Sequence, residues 1–429
     1  MRMHSPLTPT LVIVLAAAAH RPAAAEMLSV LLPDGVPGYD TADGVTVQSR
    51  LHPGQTPPGL RAGDFRFWPS LAEGFGYTSN VLPPPYRQGS WQIVTEPALT
   101  VASDWSRNAF GAVLSAQDTR YLSQPNQDRT NATLSAGGRI DIGQDQFSLA
   151  AAQLFQHEDP AQLDALPSDQ PIAFQVQDIR ASYAWNNGRW SLVPSLQISN
   201  WTYDPATVMG APASQAYRDR LVTQGAVTLR YEWAPLRDIL FVMRGVGQDY
   251  TRTPAGQPTS DSTSYQVLGG LDYDDHGVWR WRMLLGGEAR QFASPVYPQQ
   301  TTLIAEAGAT WTPYGTTTAG MTLSRETADA AQEGVSGLVY TAARLTIDHE
   351  VLRDLLLKAS VGVQRAEFFQ GGYQFGSTAG LGLVWVMNRS MRVSFSYDQS
   401  NVQPSHGQPG TASPGYNRGL GLITLRFSL

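Results

Sequence analysis

The chain has 429 residues, of which 15% are charged, and a formal net charge of −6. That charge, without any run of basic residues, excludes the electrostatic pattern of a nucleic-acid-binding protein. The chain contains no Cys, which excludes a disulfide framework, thiolate catalysis and Cys-ligated metals.

Residues 1–25 have the features of a signal peptide. Arg2 belongs to a short polar start, and Leu11–Ala19 form an apolar stretch that is too short for a membrane-spanning helix. Ala23–Ala25 supply the small residues of a cleavage site, which we predict just before Glu26. A membrane anchor is the alternative interpretation. Secretion is the expectation that follows.

Residues 26–61 are rich in Gly, Pro and polar residues and show weak periodicity. We interpret them as an extended periplasmic segment that leads into the main domain. A plug for that domain is the alternative.

The main domain, residues 62–429, repeats segments in which apolar and polar side chains alternate over roughly 9–14 residues. Within residues 221–233, Leu221, Val227 and Leu229 share one face, whereas Arg230 and Glu232 lie on the other. Side chains alternate across a strand, so each segment has an apolar face and a wet face. The length and period are those of a tilted strand that crosses a membrane.

The connections between these segments alternate in length. Eight are short, at residues 106–109, 143–146, 186–189, 234–238, 274–277, 313–316, 350–353 and 387–390. Nine are mostly longer and more polar, and begin near Asn80, Ser123, Glu158, Asp204, Arg252, Ala293, Thr327, Phe369 and Asn401. Short periplasmic turns and long external loops are typical of outer-membrane barrels, whereas a soluble β-sandwich has no reason to keep the alternation. We therefore predict an all-β fold, a single transmembrane antiparallel up-and-down β-barrel of about 18 strands, with 16 as the alternative.

Tryptophan is concentrated beside the short connections. Indole prefers the membrane–water interface, so we predict a periplasmic aromatic girdle. Its members are Trp105, Trp185, Trp190, Trp233, Trp279, Trp281, Trp311 and Trp385.

Charged side chains recur on the faces that we assign to the interior. A basic side chain that faced lipid near the membrane centre would cost ~2–4 kcal/mol, so inward placement is expected. The predicted lumen-lining residues are Arg139, Arg220, Arg230, Glu232, Arg280, Arg282, Glu288, Arg290, Arg344, Lys358, Arg392 and Arg426. They indicate either a hydrated channel or a closed lumen held by ion pairs. Two stretches fit poorly: Glu73 falls on an outward face, and residues 239–246 are apolar on both faces.

Short motifs scattered through the chain resemble the outer-membrane β-barrel porins of the "porin 2" type. They are Pro58-Gly59-Leu60, Gly63-x-Phe65, Pro69-Ser70-Leu71, Gly76-Tyr77 with Asn80, Ser103-Asp104-Trp105-Ser106-Arg107, Tyr217-Arg218-Asp219-Arg220, Asp249-Tyr250, Asp261-Ser262 with Tyr265, Trp311-Thr312-Pro313 and Asp348-His349-Glu350. The resemblance covers nearly all of the chain after residue 45. It implies the outer membrane of a Gram-negative bacterium and a role in exopolysaccharide or capsule export, and it supplies no catalytic residues.

The sequence offers no catalytic, cofactor or metal site. The seven His residues form no metal-binding pair, and no nucleophile motif is present. We interpret His157, Glu158 and Asp164 as members of a solvated loop. We therefore expect no enzyme and no cofactor. The expected partners are outer-membrane lipid, the barrel-insertion machinery and periplasmic polysaccharide-export components, without nucleic acid.

Three functions compete. The leading hypothesis is a channel for exopolysaccharide export, and the alternatives are a general diffusion porin for small solutes and a structural or adhesive surface barrel. A constricting inward loop would favour the porin, a wide Arg-lined lumen would favour polymer export, and a filled lumen would favour the structural role.

Overall fold

A computed structural model describes residues 31–33, 35–39, 47, 55–82, 87–208, 210–275, 277–407 and 415–429. The predicted signal peptide lies outside the described residues. Among those residues, no helix has the length and hydropathy of a membrane-spanning helix.

The described chain consists almost wholly of strands. They are β1 (Leu60–Ala62), β2 (Phe65–Thr78), β3 (Ser90–Ser103), β4 (Ala109–Tyr121), β5 (Arg129–Ile142), β6 (Asp145–His157), β7 (Ala173–Asn187), β8 (Trp190–Tyr203), β9 (Ala206–Val208), β10 (Ala211–Ala213), β11 (Arg220–Ala234), β12 (Arg237–Tyr250), β13 (Ser262–Asp275), β14 (Trp279–Phe292), β15 (Gln300–Tyr314), β16 (Thr317–Ala328), β17 (Leu338–Leu352), β18 (Leu355–Phe368), β19 (Tyr373–Val386), β20 (Met391–Val402) and β21 (Tyr416–Ser428). Two 3₁₀ turns cover Pro125–Gln127 and Ala216–Arg218.

The long strands close into one antiparallel barrel. The main sheet has 19 strands, of which the three-residue β1 only extends the edge of β2, so 18 strands form the wall. Each pairs with its neighbour along the chain, and β9 and β10 form a separate hairpin between β8 and β11. Closure is made by β21 on β2, from Ser70 opposite Ser428 to Thr78 opposite Leu420. The predicted fold class and strand count are confirmed.

The eight short turns join β3 to β4, β5 to β6, β7 to β8, β11 to β12, β13 to β14, β15 to β16, β17 to β18 and β19 to β20. They lie at one rim, called the short-turn rim, and the nine other connections lie at the opposite rim, called the loop rim. One connection departs from the expected length, because β18 and β19 are joined by residues 369–372 alone.

The outward face carries the apolar side chains. Phe75 is 51% exposed and Leu285 is 58% exposed, which is the surface that lipid requires. Glu73 does lie on this outward face, where its carboxylate accepts a 2.9 Å hydrogen bond from Thr95 Oγ1. The structure also explains residues 239–246, the stretch that is apolar on both faces. Leu240 and Val242 point inward and are buried with Leu268, Leu284 and Ile304.

Two regions of the inner face differ in character. The inward side chains of β4–β8 include a buried apolar cluster, with Val113, Leu154 and Val176. We call this region the apolar wall. The inward side chains of β11–β17 include Arg230, Arg244, Arg282, Glu306 and Arg344, and we call this region the charged wall.

Candidate functional site

A cavity of about 1270 Å³ lies between the charged wall and the apolar wall. Six of the twelve predicted lumen residues line it, namely Arg220, Arg230, Arg280, Arg282, Glu288 and Arg344. The other six occupy inward positions of the wall outside this cavity, namely Arg139, Glu232, Arg290, Lys358, Arg392 and Arg426. Among the residues with described positions, no group of three His, Asp or Glu side chains could hold a metal ion.

Several arginines of the charged wall are held by carboxylates on neighbouring strands. Arg230 lies 3.3 Å from a carboxylate oxygen of Asp238 and 3.5 Å from one of Asp272. Arg244 forms a two-pronged pair with Glu306, in which the second contact, from Nη2 to Oε2, is 3.1 Å. These arginines therefore reinforce the wall as well as lining the lumen.

Three other arginines line the cavity without such a partner. Within the described part of the chain, Arg180, Arg280 and Arg282 form no ion pair. A guanidinium carries five N–H donors and keeps its charge. These three side chains are therefore available to an anionic solute that passes along the cavity.

The connection between β6 and β7, residues 158–172, crosses the lumen, and we call it the crossing loop. Leu163 is buried against Leu338, Tyr340 and Phe368, which belong to the opposite side of the barrel. Asp159 accepts two hydrogen bonds from Arg418 on β21, at 2.9 and 3.0 Å. The crossing loop therefore spans the lumen from β6–β7 to β17–β21.

Asp164 is the most deeply buried acid of the crossing loop. Its backbone N–H donates a 2.7 Å hydrogen bond to the side chain of Gln374 on β19, and Oδ2 accepts from the backbone N–H of Ala331. Burial raises the pKa of Asp164 to about 7, because a carboxylate loses hydration inside the protein. The interpretation of Glu158 and Asp164 as members of a solvated loop is wrong, since both are buried.

A second inward connection, residues 329–337 between β16 and β17, meets the crossing loop. Asp329 binds Arg220 at 2.9 Å and Arg290 at 2.7 Å. Burial works to raise the pKa of Asp329, but the two guanidinium groups lower it below its usual value. Tyr217 Oη also donates a 2.6 Å hydrogen bond to the carbonyl of Ala331. The two loops therefore narrow the lumen at the loop rim.

The N-terminal segment also contacts the inside of the barrel. Tyr39 Oη donates a 2.8 Å hydrogen bond to Asp178 on β7, and Val36 is fully buried. Gln55 contacts the short-turn rim through the backbone carbonyl of Arg353, at 2.6 Å. These contacts favour the plug alternative for the described residues of 26–61. The bounds of the N-terminal segment, residues 26–61, stay a prediction.

Seven of the predicted girdle residues lie near strand ends at the short-turn rim, and Trp105 lies in the turn between β3 and β4. Seven of the eight are 40–49% exposed, the exception being the half-buried Trp281. Aromatic contacts continue along this rim, since Trp279 stacks on Trp311 with ring centres 5.2 Å apart and Trp281 stacks on Tyr273 at 5.5 Å. The assignment of this rim to the periplasm stays a prediction.

The sequence pattern missed three residues that shape the lumen. Arg244 was hidden in an apolar stretch, although its alternation with Leu240 and Val242 could have placed it inward. Asp164 and Asp329 lie in loops, where no periodicity signals burial. Their importance follows only from contacts with distant strands.

A closed, lipid-facing barrel with a polar, loop-narrowed interior defines an outer-membrane channel. The chain belongs to the family described as "Putative beta-barrel porin 2", which matches residues 52–415. No curated protein matches the chain.

Solved structures with a similar fold include outer-membrane porins at low identity. OccK2 (OpdF) of Pseudomonas aeruginosa has 10% identity and a TM-score of 0.46, covering 85% of this chain and 98% of that one. A BenF-like porin from Pseudomonas fluorescens Pf-5 has 10% identity and a TM-score of 0.44, covering 86% and 99%. The FrpB iron transporter of Neisseria meningitidis has 7% identity and a TM-score of 0.43, covering 90% and 84%. Identities this low say nothing of what this chain transports.

Proposed function

We propose that this barrel is a channel for small solutes and that its free arginines favour anionic ones. The observation that carries the proposal is the crossing loop, residues 158–172, which packs Leu163 against the opposite wall. A loop of this kind limits the cross-section of the lumen, and a limited cross-section suits small molecules rather than a polymer chain.

The preference for anions rests on Arg180, Arg280 and Arg282, which line the cavity without an ion-pair partner among the described residues. Such side chains raise the local concentration of anions in a narrow hydrated passage. They also offer exchangeable hydrogen bonds to carboxylates and phosphates. Acidic residues line the same cavity, notably Glu288 and Glu306, so the preference is graded rather than absolute.

Export of an exopolysaccharide, the leading hypothesis from the sequence, finds no support in the family description, which names a porin. It also fits poorly with two loops that meet across the lumen.

Proteoliposome swelling tests the proposal. The purified barrel should admit mono- and disaccharides, with rates that fall steeply as solute size rises. Anionic sugars should enter faster than neutral sugars of equal size. Deletion of residues 160–168 should extend the size limit, whereas deletion of the exposed residues 255–256 of another long connection should leave it unchanged. Entry of long dextrans into liposomes that contain the intact protein would contradict the proposal.

A further inference from the structure

We propose that the apolar wall is a binding site for the chain's own N-terminal segment, and that the bound segment is a displaceable plug of the channel. The plug segment is defined as residues 31–33 and 35–39. Its effect on passage rests on the proposed function, whereas its binding to the wall does not.

The inward apolar side chains of the apolar wall need to be shielded from water. Val113, Ala150, Leu154 and Val176 point into the barrel and are at most 7% exposed. In a hydrated lumen these side chains would face water, which is unfavourable for apolar surface. The plug segment contributes to this cover, since Leu32 and Val36 belong to the same apolar cluster and are 7% and 0% exposed.

Two strand glycines form a notch that fits the backbone of the plug segment. A Cβ at Gly111 would lie 2.7 Å from the carbonyl oxygen of Gly35, and a Cβ at Gly137 would lie 2.2 Å from that of Pro37. Both distances are too short for any side chain. Glycine weakens a strand, and in a strand it often marks the close approach of another backbone. Gly225 on β11 differs, because it lies on the outward face and has open space at its Cβ position.

The plug segment makes a turn that fits the notch. The backbone N–H of Tyr39 donates a 2.9 Å hydrogen bond to the carbonyl of Val36. Gly35 and Gly38 have φ angles of +86° and +101°, which L-residues with side chains rarely adopt. The turn therefore presents Val36 to the wall in a fixed shape.

A polar socket holds the end of the turn. Asp178 is 1% exposed and accepts hydrogen bonds from Tyr39 Oη at 2.8 Å, Ser199 Oγ at 2.6 Å and Gln197 Nε2 at 2.8 Å. A buried carboxylate needs such donors. Two of the three come from the wall itself, so the socket keeps partners when Tyr39 leaves. The plug segment pairs with no strand in the described part of the chain, which makes it easier to release than a wall strand.

The chain that follows the plug segment reaches the other side of the barrel. The backbone N–H of Val47 donates a 2.9 Å hydrogen bond to Thr318 Oγ1 on β16, and Arg392 on β20 donates to the carbonyl of Gln55 at 3.2 Å. The contacts on β7 and β16 lie on different sides of the lumen. The described residues Tyr39, Val47 and Gln55 therefore contact different sides of the lumen, in the path of a solute.

Binding is tested by thiol labelling, which does not depend on transport. The chain has no Cys, so Val36→Cys provides a single thiol that should react slowly with a maleimide while the plug segment is docked. Adding Gly137→Ala should raise the labelling rate by about tenfold or more, as expected if docking weakens by ~1.4 kcal/mol. Adding Gly225→Ala, a control at a strand glycine outside the cavity, should not change it. Rapid labelling of Val36→Cys alone, or equal rates in all three proteins, would overturn the binding site.

Single-channel recording in planar bilayers tests the plug. Gly137→Ala should show a larger conductance than the parent, and Gly225→Ala should match the parent. Faster labelling with unchanged conductance would overturn the plug. Absence of conductance from the parent and from every variant would contradict the proposed function. The labelling rates would then still decide whether the plug segment binds the apolar wall.

Folding of each variant is checked by heat-modifiable migration on gels. If Gly137→Ala fails to form a barrel, Tyr39→Phe replaces it. That substitution lies outside the wall and removes only the hydrogen bond to Asp178. Labelling of Val36→Cys should again accelerate, and an unchanged rate would overturn the role of the socket.

Discussion

The backbone N–H of Asp164 donates a 2.7 Å hydrogen bond to the side chain of Gln374, 210 residues further along the chain. The donor belongs to the crossing loop and the acceptor to β19, on the far side of the lumen. Asp164 has a φ of +61°, a conformation that Asp tolerates better than most residues. Asp164, with its unusual backbone and buried carboxyl group, therefore helps to hold the crossing loop in place, together with Asp159 and Leu163.

The first prediction concerns pH. Burial raises the pKa of Asp164 to about 7, whereas an unfolded Asp titrates near 3.9. The folded protein holds the proton more tightly, so the stability that this group contributes is present at low pH and falls as pH rises towards about 7. Docking of the crossing loop should weaken over the same range. We expect a larger or noisier single-channel conductance at pH 8 than at pH 6.

Asp164→Asn is the matched variant for this pH effect. The amide resembles the neutral carboxyl group, can still accept from Ala331, and cannot ionise. We expect the variant to keep the low-pH conductance at pH 8. The charges of Glu158 and Arg218 also affect the pKa of Asp164. Both residues are the same in the parent and in the variant. A variant with the same pH response as the parent would show that another group controls it.

The second prediction concerns stability and the outward carboxylate of Glu73. Its neighbours on β2 are Leu71 and Phe75, both exposed to lipid, and its hydrogen bond to Thr95 leaves the charge uncompensated. Glu73→Leu should stabilise the barrel by about 1–2 kcal/mol, because acidic residues facing lipid cost less than basic ones but still oppose insertion. Urea titration of refolded barrels in lipid measures the change. Phe75→Leu, one row away on the same face, should leave stability nearly unchanged or slightly lower.

The sequence predicted the wall of this barrel because the wall depends on local pattern. Every spanning strand buries one face and exposes the other, so alternation within about 14 residues determines inward and outward placement. Leu425 and Phe427 face outward. Arg426 lies between them and faces the lumen, where its Nη2 lies 3.2 Å from Oε2 of Glu96. The inward placement of Arg426 needs no knowledge of distant strands, whereas its pairing with Glu96, 330 residues away in sequence, does.

The contents of the lumen could not be predicted in the same way. Whether Leu163 reaches Leu338, or Val36 reaches the notch at Gly137, depends on the path of a loop and on packing against strands far away in sequence. Loop sequences carry no periodicity that reports such contacts. The local signal for the notch lies in its glycines. Gly111 and Gly137 interrupt their strands, and a glycine in a strand often marks the close approach of another backbone.

The third prediction concerns membrane orientation. Gly256 lies in the long connection 251–261 and Gly188 lies in a short turn, and both have open space and a positive φ. An epitope inserted after Gly256 should be labelled by antibody on intact cells, whereas one inserted after Gly188 should be labelled only after permeabilisation. We choose these sites rather than residues 158–171, because that loop folds into the lumen. Labelling in the opposite pattern would reverse the orientation.

The fourth prediction separates two roles among the inward arginines. Arg290 is 1% exposed, and its ion pair with Asp329 is also buried. Arg280 and Arg282 line the cavity without an ion-pair partner among the described residues. Arg290 should therefore hold the loop at residues 329–337 in place. Arg280 and Arg282 should instead act on passing ions.

Replacement by Gln tests the separation, because it removes charge while keeping polarity and most of the length. Arg280→Gln with Arg282→Gln should shift ion selectivity towards cations and leave the melting temperature within a few degrees of the parent. Arg290→Gln should instead lower stability by about 3 kcal/mol, because it breaks a buried ion pair and leaves Asp329 with only Arg220 as an ion-pair partner and Tyr250 as a hydrogen-bond donor among the described residues. Reversal potentials in a salt gradient measure the first effect, and thermal unfolding in detergent measures the second. If the double variant unfolds early without any change in selectivity, then Arg280 and Arg282 serve only the wall, and the preference for anions is wrong.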